Sequence, residues 1–390
     1  MKILFHHRIA SRDGQAVHLE ELIEALRGQG HEVVLVGPAS FAASGFGGEI
    51  GFVAKLKRLL PAAVYELMEF AYNLAAAWRL DAAVRAHRPD VIYERYSLLL
   101  MAGIWIHRLR KIPLLLEVNG PLFEERVKND GLALHRLGRW CQRVEWNGAD
   151  CVLPVTEVLA SYVRRYGVPE ARIAVIPNGI NAARFGHAPD AAKAKAALGV
   201  SGRLVLGFTG FIRAWHRLDR VIDFVAAHGE RLNLHLLVVG DGPVRAELEA
   251  HAAARGVAGR FTVTGVVARD EVAKHLAAFD IALQPGITEY ASPLKLFEYM
   301  YLGRAVVAPD MANIREILTH ERDALLFDEH SPEAMNAAIL RLAEDAGLRV
   351  RLGAQARRTM DEKGLTWDNN ARRVVALAQR AIAASRGDKP

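Results

Sequence analysis

Cysteine is scarce in this chain, with only Cys141 and Cys151 among 390 residues. Two cysteines cannot form the disulfide framework of a small secreted domain, so we expect a reducing compartment, the cytoplasm. We also expect no secretory leader, because the apolar residues 1–5 run directly into the basic residues 6–8. No apolar run reaches the ~18 residues that a membrane-spanning helix needs. These absences argue against a secreted or membrane-spanning protein.

A concentrated positive charge is also missing. Lysine and arginine exceed aspartate and glutamate by six, but the excess is spread along the chain. Proteins that bind nucleic acids gather such charge on one face or tail, so we expect no nucleic-acid partner. The 15 histidines do not follow ligand spacing, and zinc-protease, P-loop and nucleophile-elbow motifs are absent. We therefore expect no bound metal and no cofactor.

The sequence does contain a regular alternation of buried strands and amphipathic helices. Residues 19–26 carry leucine and isoleucine at the i, i+3, i+4, i+7 spacing of a helix, between apolar runs at 2–6 and 33–36. This pattern predicts a βαβ unit with parallel strands. Further strands are predicted at residues 91–93, 113–118, 151–155, 172–176, 204–209, 234–239, 261–264, 281–284, 305–308 and 324–327.

The predicted strands form two series, separated by residues 178–202. This intervening segment is rich in alanine, glycine and asparagine and predicts a linker with one short helix. Each series predicts an open parallel sheet with helices on both faces. The expected fold class is α/β, with two Rossmann-like, doubly wound domains that face each other across a cleft. Ligands bind such sheets at the carboxyl ends of the strands.

The most informative stretch is SPLKLFEYM at residues 292–300. Ser292 is a suitable N-cap, and Pro293 suits the first position of a helix. The unpaired amides of a helix N-terminus attract phosphate, and a cation in the first turn, Lys295, is favoured when an anion is bound. Glu298 lies on the same helix face, where it can accept hydrogen bonds from ribose hydroxyls. The alternative is an exposed Lys295–Glu298 ion pair, worth ~0.3–0.5 kcal/mol.

A second candidate phosphate site follows the first strand of the second series. Gly210 precedes Arg213 and His216, and backbone amides combined with such cations can hold phosphate. The alternative is a solvated basic loop with Trp215 packed on the surface. Residues 240–243, GDGP, also follow a strand, but we interpret them as a tight turn because they lack the spacing of a dinucleotide-binding motif.

Polar residues follow three strands of the first series. Gly14 and His18 lie at a strand-to-helix turn, and Glu117 and Asn119 come at the end of another strand, so all four are expected at the carboxyl edge of the sheet. His18 is placed to bond a substrate, but a capping or surface role explains it equally well. The alternative for Glu117 and for residues 94–96 is a local ion pair with turn chemistry.

Residues 59–80 are unusually apolar and follow three cations, Lys55, Lys57 and Arg58. A helix with a basic flank can dock on an anionic membrane. A helix packed between neighbouring elements explains the apolar composition as well, and we favour this second interpretation.

Several of these stretches resemble glycosyltransferase family 4, retaining enzymes with the GT-B fold, and the resemblance covers nearly the whole chain. It implies an acceptor-binding domain over residues 1–185 and a donor-binding domain over residues 186–365, followed by a last helix at 366–390 that crosses back to the first domain. The matching stretches are residues 14–18, 20–22, 30–33, 175–180, Phe185, 238–243, 292–300, 348–353 and 366–367.

The resemblance implies a nucleoside diphosphate sugar, linked to UDP or GDP, as the donor substrate. It also implies a role for individual residues of this chain. The residues that it implies for binding the donor diphosphate are Gly14, Arg213, His216, Leu294 and Lys295. It implies that the ribose is bound by Glu298, the base by Val266 and Val267, and the donor sugar by Glu289, Tyr290, Ala291 and Ser292. The residues that it places in the catalytic region are His18, Glu117 and Asn119.

The chain departs from the family pattern at four positions. Tyr290 stands where many members carry the first of two glutamates, and Asn119 stands where many carry a histidine. In the loop after the first strand of the second domain, Phe211 and His216 replace an arginine and a lysine, and Arg213 can compensate. We interpret these differences as those of a subfamily.

The predicted activity is transfer of a hexose to an acceptor hydroxyl with retention of configuration, by front-face attack and without a metal. The acceptor is a sugar, a lipid-linked or a small molecule, and the expected process is polysaccharide, glycolipid or glycoconjugate synthesis. Two alternatives are a nucleotide-sugar epimerase of the same architecture and a non-catalytic nucleotide-sugar binding protein. The expected location is the cytoplasm, including peripheral contact with the inner membrane surface. The sequence predicts no oligomeric state.

Overall fold

The computed structural model describes residues 1–9, 14–38 and 60–387. The cations Lys55, Lys57 and Arg58 lie outside the described residues. The chain divides into two units. The first contains residues 1–177, Tyr290–Ser292 and the segment from Trp367 onward, and the second contains Asn178–Glu289 and Pro293–Thr366.

The first unit is built on a five-stranded parallel sheet. Its strands are β1 (Lys2–His6), β2 (Glu32–Val36), β3 (Val91–Arg95), β4 (Leu114–Val118) and β5 (Cys151–Pro154). Their order across the sheet is β2-β1-β3-β4-β5, and Ile3 lies level with Val33 on one side and Val91 on the other. Strands β3, β4 and β5 are buried along their whole length, which accounts for their apolar sequences.

Within the described residues up to 177, six helices connect and cover these strands. The longest, α2, packs against α3, and Leu80 and Val84 of α2 join the core beside β3. The helices are α1 (Gly14–Gly28), α2 (Ala62–His87), α3 (Ala102–Arg110), α4 (Leu122–Glu125), α5 (His135–Gly148) and α6 (Glu157–Arg165).

The second unit is built on a six-stranded parallel sheet whose order is β11-β10-β9-β6-β7-β8. Alternate residues of one strand enter different cores: Leu237 and Val239 join one cluster, and Leu236 and Val238 join the other. Both faces are therefore covered, as in a doubly wound fold. The strands are β6 (Leu204–Thr209), β7 (Leu234–Val239), β8 (Phe261–Val263), β9 (Ile281–Leu283), β10 (Ala305–Pro309) and β11 (Leu325–Phe327).

Helices cover both faces of this second sheet. In β6, Gly207 is required because the Phe279 ring occupies the place of its side chain, with ring carbons 2.0 Å from an added Cβ. The helices are α7 (Ala182–Phe185), α8 (Ala191–Ala197), α9 (Leu218–His228), α10 (Arg245–Ala254), α11 (Val272–Leu276), α12 (Leu294–Tyr301), α13 (Ala312–Arg315), α14 (Pro332–Glu344) and α15 (Ala346–Lys363).

The last helix, α16 (Trp367–Arg386), belongs to the first unit and packs against α1. Gln29 Nε2 donates a hydrogen bond to the Asp368 carbonyl at 2.7 Å. At its other side, Asn370 Nδ2 donates to the Pro177 carbonyl at 2.6 Å, and an Arg373 guanidinium nitrogen donates to the Val175 carbonyl at 2.6 Å. The last two bonds tie the helix to residues 175–177, where the chain leaves the first unit.

The segment 178–202 is not a linker, contrary to the sequence prediction. It carries two helices, α7 and α8, and Phe185, Ala194 and Val200 lie in the core of the second unit. Ile180 bridges Thr366, so the start and the end of the second unit meet.

The strand predicted at 172–176 is also wrong. Ala174 and Ile176 donate backbone hydrogen bonds to the carbonyls of Val152 and Pro154 at 3.0 Å, but the segment forms only the single bridge Val152–Ile173. Pro154 has no N–H to return the next bond, so the ladder stops after one pair.

The other predicted strands are confirmed to within two residues at either end. In the part of the chain that the structure describes, no helix is long and apolar enough to cross a membrane.

Candidate functional site

Lys295 lies half-buried in the first turn of α12, within the second unit. Its Nζ is 3.9 Å from the centre of the Phe208 ring and 3.4 Å from His216 Nε2. Among the residues described, no carboxylate lies within ion-pair distance of this Nζ. A cation above an aromatic face gains about 0.5–2 kcal/mol, less than the several kcal/mol that a buried ion loses in hydration. The arrangement therefore favours an added anion.

The ionisation of this pair supports the same conclusion. Burial lowers the pKa of Lys295 to about 7, and nearby Glu298 partly opposes this shift. Burial, together with the charges of Lys295 and Arg213, lowers the pKa of His216 to about 2. Because His216 Nδ1 accepts a hydrogen bond from the Arg213 backbone N–H at 3.1 Å, the neutral ring carries its proton on Nε2. Two adjacent donors, Nε2–H and the Lys295 ammonium, suit the oxygens of a diphosphate.

Backbone packing holds the two hydrogen-bond donors, Lys295 and His216, in place. The Thr209 backbone N–H donates to the Tyr299 hydroxyl at 2.9 Å and so ties α12 to the end of β6. The loop after β7 packs on the loop after β6, where a Cβ added to Gly240 would lie 2.2 Å from the Gly210 carbonyl oxygen. Gly240 also has φ +141°, a conformation that favours glycine. Only glycine allows the two loops to approach so closely.

The N-cap prediction for Ser292 is wrong. Helix α12 begins at Leu294, and Pro293 takes the N-cap position with φ −78° and ψ 113° and no capping side chain. Ser292 therefore precedes the N-cap position. Lys295 does lie in that first turn, as predicted.

The other residues of the second unit that are predicted to bind the donor differ in exposure. Arg213 is exposed, and its guanidinium carbon lies 4.8 Å and 5.1 Å from the ring centres of Phe211 and Trp215. Val266 is exposed, whereas Val267 packs against the core. Leu294 and Glu298 are half-buried, and Glu289 is exposed. The structure brings His216, Lys295 and Phe208 together and leaves the Arg213 side chain stacked on its own loop.

Residues 290–292, predicted to hold the donor sugar, group with the first unit. The Tyr290 side chain packs against the core beside β4 and β5, and its carbonyl accepts a hydrogen bond from Thr156 Oγ1 at 2.9 Å. Ala291 is half-buried and Ser292 is buried. The tyrosine that replaces the usual glutamate therefore has a packing role.

Glu117 organises the carboxyl edge of the first sheet. Its buried carboxylate accepts hydrogen bonds from His18 Nε2 at 2.9 Å, from the Tyr93 hydroxyl at 2.6 Å and from an Arg95 guanidinium nitrogen at 2.7 Å. The Asn119 amide nitrogen donates a fourth bond. Burial alone would raise the pKa of Glu117, but the charges of His18 and Arg95 and the bonded donors hold it well below its usual range. An ionised carboxylate with four donors suits positioning rather than proton transfer.

Glu117 also fixes the direction of two neighbouring side chains. Because a carboxylate only accepts, the Asn119 amide nitrogen must face it, and the amide oxygen is directed away as an acceptor. The Asn119 side chain is half-exposed at the strand end. The His18 ring is held by Glu117 and meets Trp367 edge-on, with ring centres 4.9 Å apart. Gly14 is the first residue of α1, with no described atom within 4 Å of an added Cβ.

The sequence prediction missed the residues that support these groups. Phe208 has the pattern of a buried strand residue, and no signal distinguishes the face it offers to Lys295. Tyr93 also lies in an apolar strand, yet its hydroxyl bonds Glu117. For Trp367, the family resemblance is the only signal in the sequence.

Comparison with known proteins shows which families and folds this chain resembles. Residues 12–184 match the family model Glycosyltransferase Family 4, and residues 198–345 match the model Glycosyl transferases group 1. D-inositol 3-phosphate glycosyltransferase of Jonesia denitrificans is 25% identical over 403 residues, covering 95% of this chain and 92% of that protein. The enzyme of the same name from Kineococcus radiotolerans is 28% identical over 248 residues, covering 58% of this chain. The chain spans about half the length of several curated relatives, 56% in that case.

The fold is shared with a solved structure, Anabaena HepE in complex with UDP and glucose. That structure superposes with a TM-score of 0.73 at 18% identity, over 97% of this chain and 100% of the other. Both chains therefore have two parallel-sheet α/β units, the GT-B architecture.

Proposed function

We propose that this chain, which belongs to the family 4 glycosyltransferases, transfers a hexose from a nucleoside diphosphate sugar to an acceptor hydroxyl with retention of anomeric configuration. The observation that carries the proposal is the half-buried Lys295 ammonium beside His216 Nε2, without a carboxylate partner among the described residues. A donor diphosphate supplies the missing negative charge. UDP is the nucleotide we favour, because HepE was crystallised with UDP and glucose.

In the proposed reaction, the bond between the anomeric carbon and the diphosphate oxygen breaks, and negative charge grows on that oxygen. Lys295 and the His216 Nε2–H stabilise this charge electrostatically, without a metal. The acceptor hydroxyl attacks the same face of the sugar that the diphosphate leaves. Its proton passes to an oxygen of the departing diphosphate, so the products are the glycoside and a nucleoside diphosphate. Glu298 accepts hydrogen bonds from the ribose hydroxyls.

The first unit is proposed to bind the acceptor substrate. The Asn119 amide oxygen, fixed by Glu117, is an acceptor for a sugar hydroxyl. Cyclitols and aminocyclitols are named as acceptors of relatives such as the inositol 3-phosphate and 2-deoxystreptamine enzymes. We therefore propose a hydroxyl of a sugar or cyclitol ring as the acceptor.

Thermal stability against UDP, GDP, ADP and dTDP, with and without EDTA, tests the donor site. A nucleotide at 100-fold over its Kd adds about 2.7 kcal/mol and raises the Tm by a few degrees. We expect a selective shift with UDP that EDTA leaves unchanged and that Lys295→Met removes. No shift with any nucleotide would contradict the assignment. NMR of the glycoside then tests retention, since an inverted anomeric centre would exclude the front-face mechanism.

A further inference from the structure

Helix α2 buries two polar side chains and leaves large apolar side chains exposed. Glu66 and Asn73 are 1% and 0% exposed, whereas Leu74 and Trp78 are 71% and 70% exposed. A surface helix of a globular protein usually turns its apolar face inward. The outward direction of these large apolar side chains therefore requires its own explanation.

The exposed apolar side chains of α2 share one helix face. They recur at intervals of three, one, six and four residues, and Val64, Leu67 and Met68 are 43%, 54% and 46% exposed. Leu109 at the end of α3 is also exposed, beside Arg110, whose guanidinium bonds Asp81 of α2 at 2.6 Å. We call the set Val64, Leu67, Met68, Leu74, Trp78 and Leu109 the outer face of α2–α3. An exposed apolar group of this extent marks an interaction site.

Buried hydrogen bonds fix the rotation of α2 that exposes this face. The Asn73 side chain accepts from the Met101 backbone N–H at 2.6 Å and donates to the Leu99 carbonyl at 2.7 Å. Glu66 accepts from the backbone N–H groups of Ala133 and Leu134 at 2.8 Å and 2.7 Å. Turning the helix to bury its apolar face would break all four bonds and leave buried polar groups unpaired. The exposure is built into the packing.

The acidic groups of α2 are neutralised within the protein. Glu69 pairs with Arg126 at 2.6 Å and with Arg8 at 3.2 Å. Asp81 pairs with Arg110 and with Arg85. Three further exposed cations lie where α2 and α3 end: two of them cap the ends of these helices, and one lies in the last turn of α3. These cations are Arg88, Arg108 and Lys111.

We infer that the outer face of α2–α3 docks on an anionic lipid bilayer, as a peripheral contact that does not depend on the proposed function. Leucine, methionine and tryptophan on one face with cations at its border are the side chains of an interfacial helix. Phospholipid headgroups of negative charge complement Arg88, Arg108 and Lys111. Charge complementarity with these cations therefore favours a negatively charged bilayer as the partner.

Co-sedimentation of the full chain with vesicles tests the inference. We expect binding to vesicles of phosphatidylcholine mixed with phosphatidylglycerol, weak binding to phosphatidylcholine alone, and loss of binding as salt rises. Replacing Arg88, Arg108 and Lys111 with glutamine should lower the partition coefficient by about 100-fold, since each cation near the surface contributes about 1 kcal/mol. The pair Leu74→Ser and Trp78→Ser should lower it by about tenfold or more.

Matched controls separate docking from folding and from catalysis. Val350→Ser removes an equally exposed side chain from the second unit and should leave vesicle binding unchanged. All variants should keep the Tm of the parent and its shift with UDP, so failure of docking is distinguishable from failure of the donor site. Absence of binding to anionic vesicles would overturn the inference. A dimer that Leu74→Ser and Trp78→Ser dissociate, with no vesicle binding, would assign the face to a second copy instead.

Discussion

The state of Lys295 predicts how donor affinity depends on pH. In the free protein, burial lowers the pKa of Lys295 to about 7. A bound diphosphate beside Nζ favours the ammonium and raises that pKa. Below about pH 7 the lysine is already charged in the free protein, so affinity is constant. Above about pH 7 binding must take up a proton, and the Kd rises by about tenfold per pH unit, equivalent to 1.36 kcal/mol.

Titration calorimetry with UDP-glucose measures this effect directly. The diphosphate of a nucleotide sugar has no proton that titrates near neutrality, so Lys295 dominates the pH dependence. We expect proton uptake to approach one per donor at about pH 8 to 9, detected as a difference in heat between two buffers of unlike ionisation enthalpy. His216 does not contribute in this range, because its pKa is about 2.

Two variants of Lys295 separate charge from packing. Lys295→Arg stays charged and should abolish the pH dependence while retaining binding. Lys295→Met should weaken binding by about 10- to 100-fold at pH 6, because a hydrogen bond to a charged group contributes about 1.5–3 kcal/mol. A parent Kd that stays flat from about pH 6 to 9, with no proton uptake, would refute the reasoning.

Three further outcomes follow from the same contacts. Lys295→Met should stabilise the ligand-free protein at about pH 6 by up to roughly 5 kcal/mol, because the lowered pKa of Lys295 means that its charged form opposes folding. This gain in the free energy of unfolding should vanish between about pH 7 and 10, and urea unfolding measures it. Glu298→Ala should weaken UDP binding by about tenfold but leave binding of a nucleotide without ribose hydroxyls unchanged, and equal losses for both ligands in calorimetry would contradict a ribose contact. Glu117→Gln should lower stability by about 3–5 kcal/mol, because His18 and Arg95 lose a buried charge partner, and an unchanged Tm would contradict this stabilising role of the Glu117 charge.

Most strands were predictable because a buried parallel strand is a continuous apolar run between polar turns. Three predictions match the structure at both ends: Lys2–His6, Leu204–Thr209 and Leu234–Val239. The strand at 172–176 failed for a reason that lies in its neighbour, since Pro154 has no N–H for the second bridge. A hydropathy pattern does not record what the adjacent strand can donate.

The candidate site was predictable as a set of residues but not as a geometry. Sequence patterns and the family resemblance pointed to His216 and Lys295, which are 79 positions apart and meet only in the fold. The Phe208 ring beneath Lys295 could not be predicted, because a strand residue has the same pattern whichever face of its ring is used. Glu117 was identified at a strand end, but its four donors come from α1, β3 and the turn after β4, and only the sheet order brings them together.

Helix α2 shows why an apolar sequence alone does not determine burial. Its residues are apolar on more than one face, so packing in a core and docking on a membrane were both consistent with the sequence. The structure buries Leu80 and Val84 yet leaves Leu74 and Trp78 outside, so the core interpretation accounts for one face only. Asn73 decides between the faces, because its amide must be buried to bond the backbone at Leu99 and Met101. A single polar residue in an apolar helix therefore carries more information about orientation than the apolar residues around it.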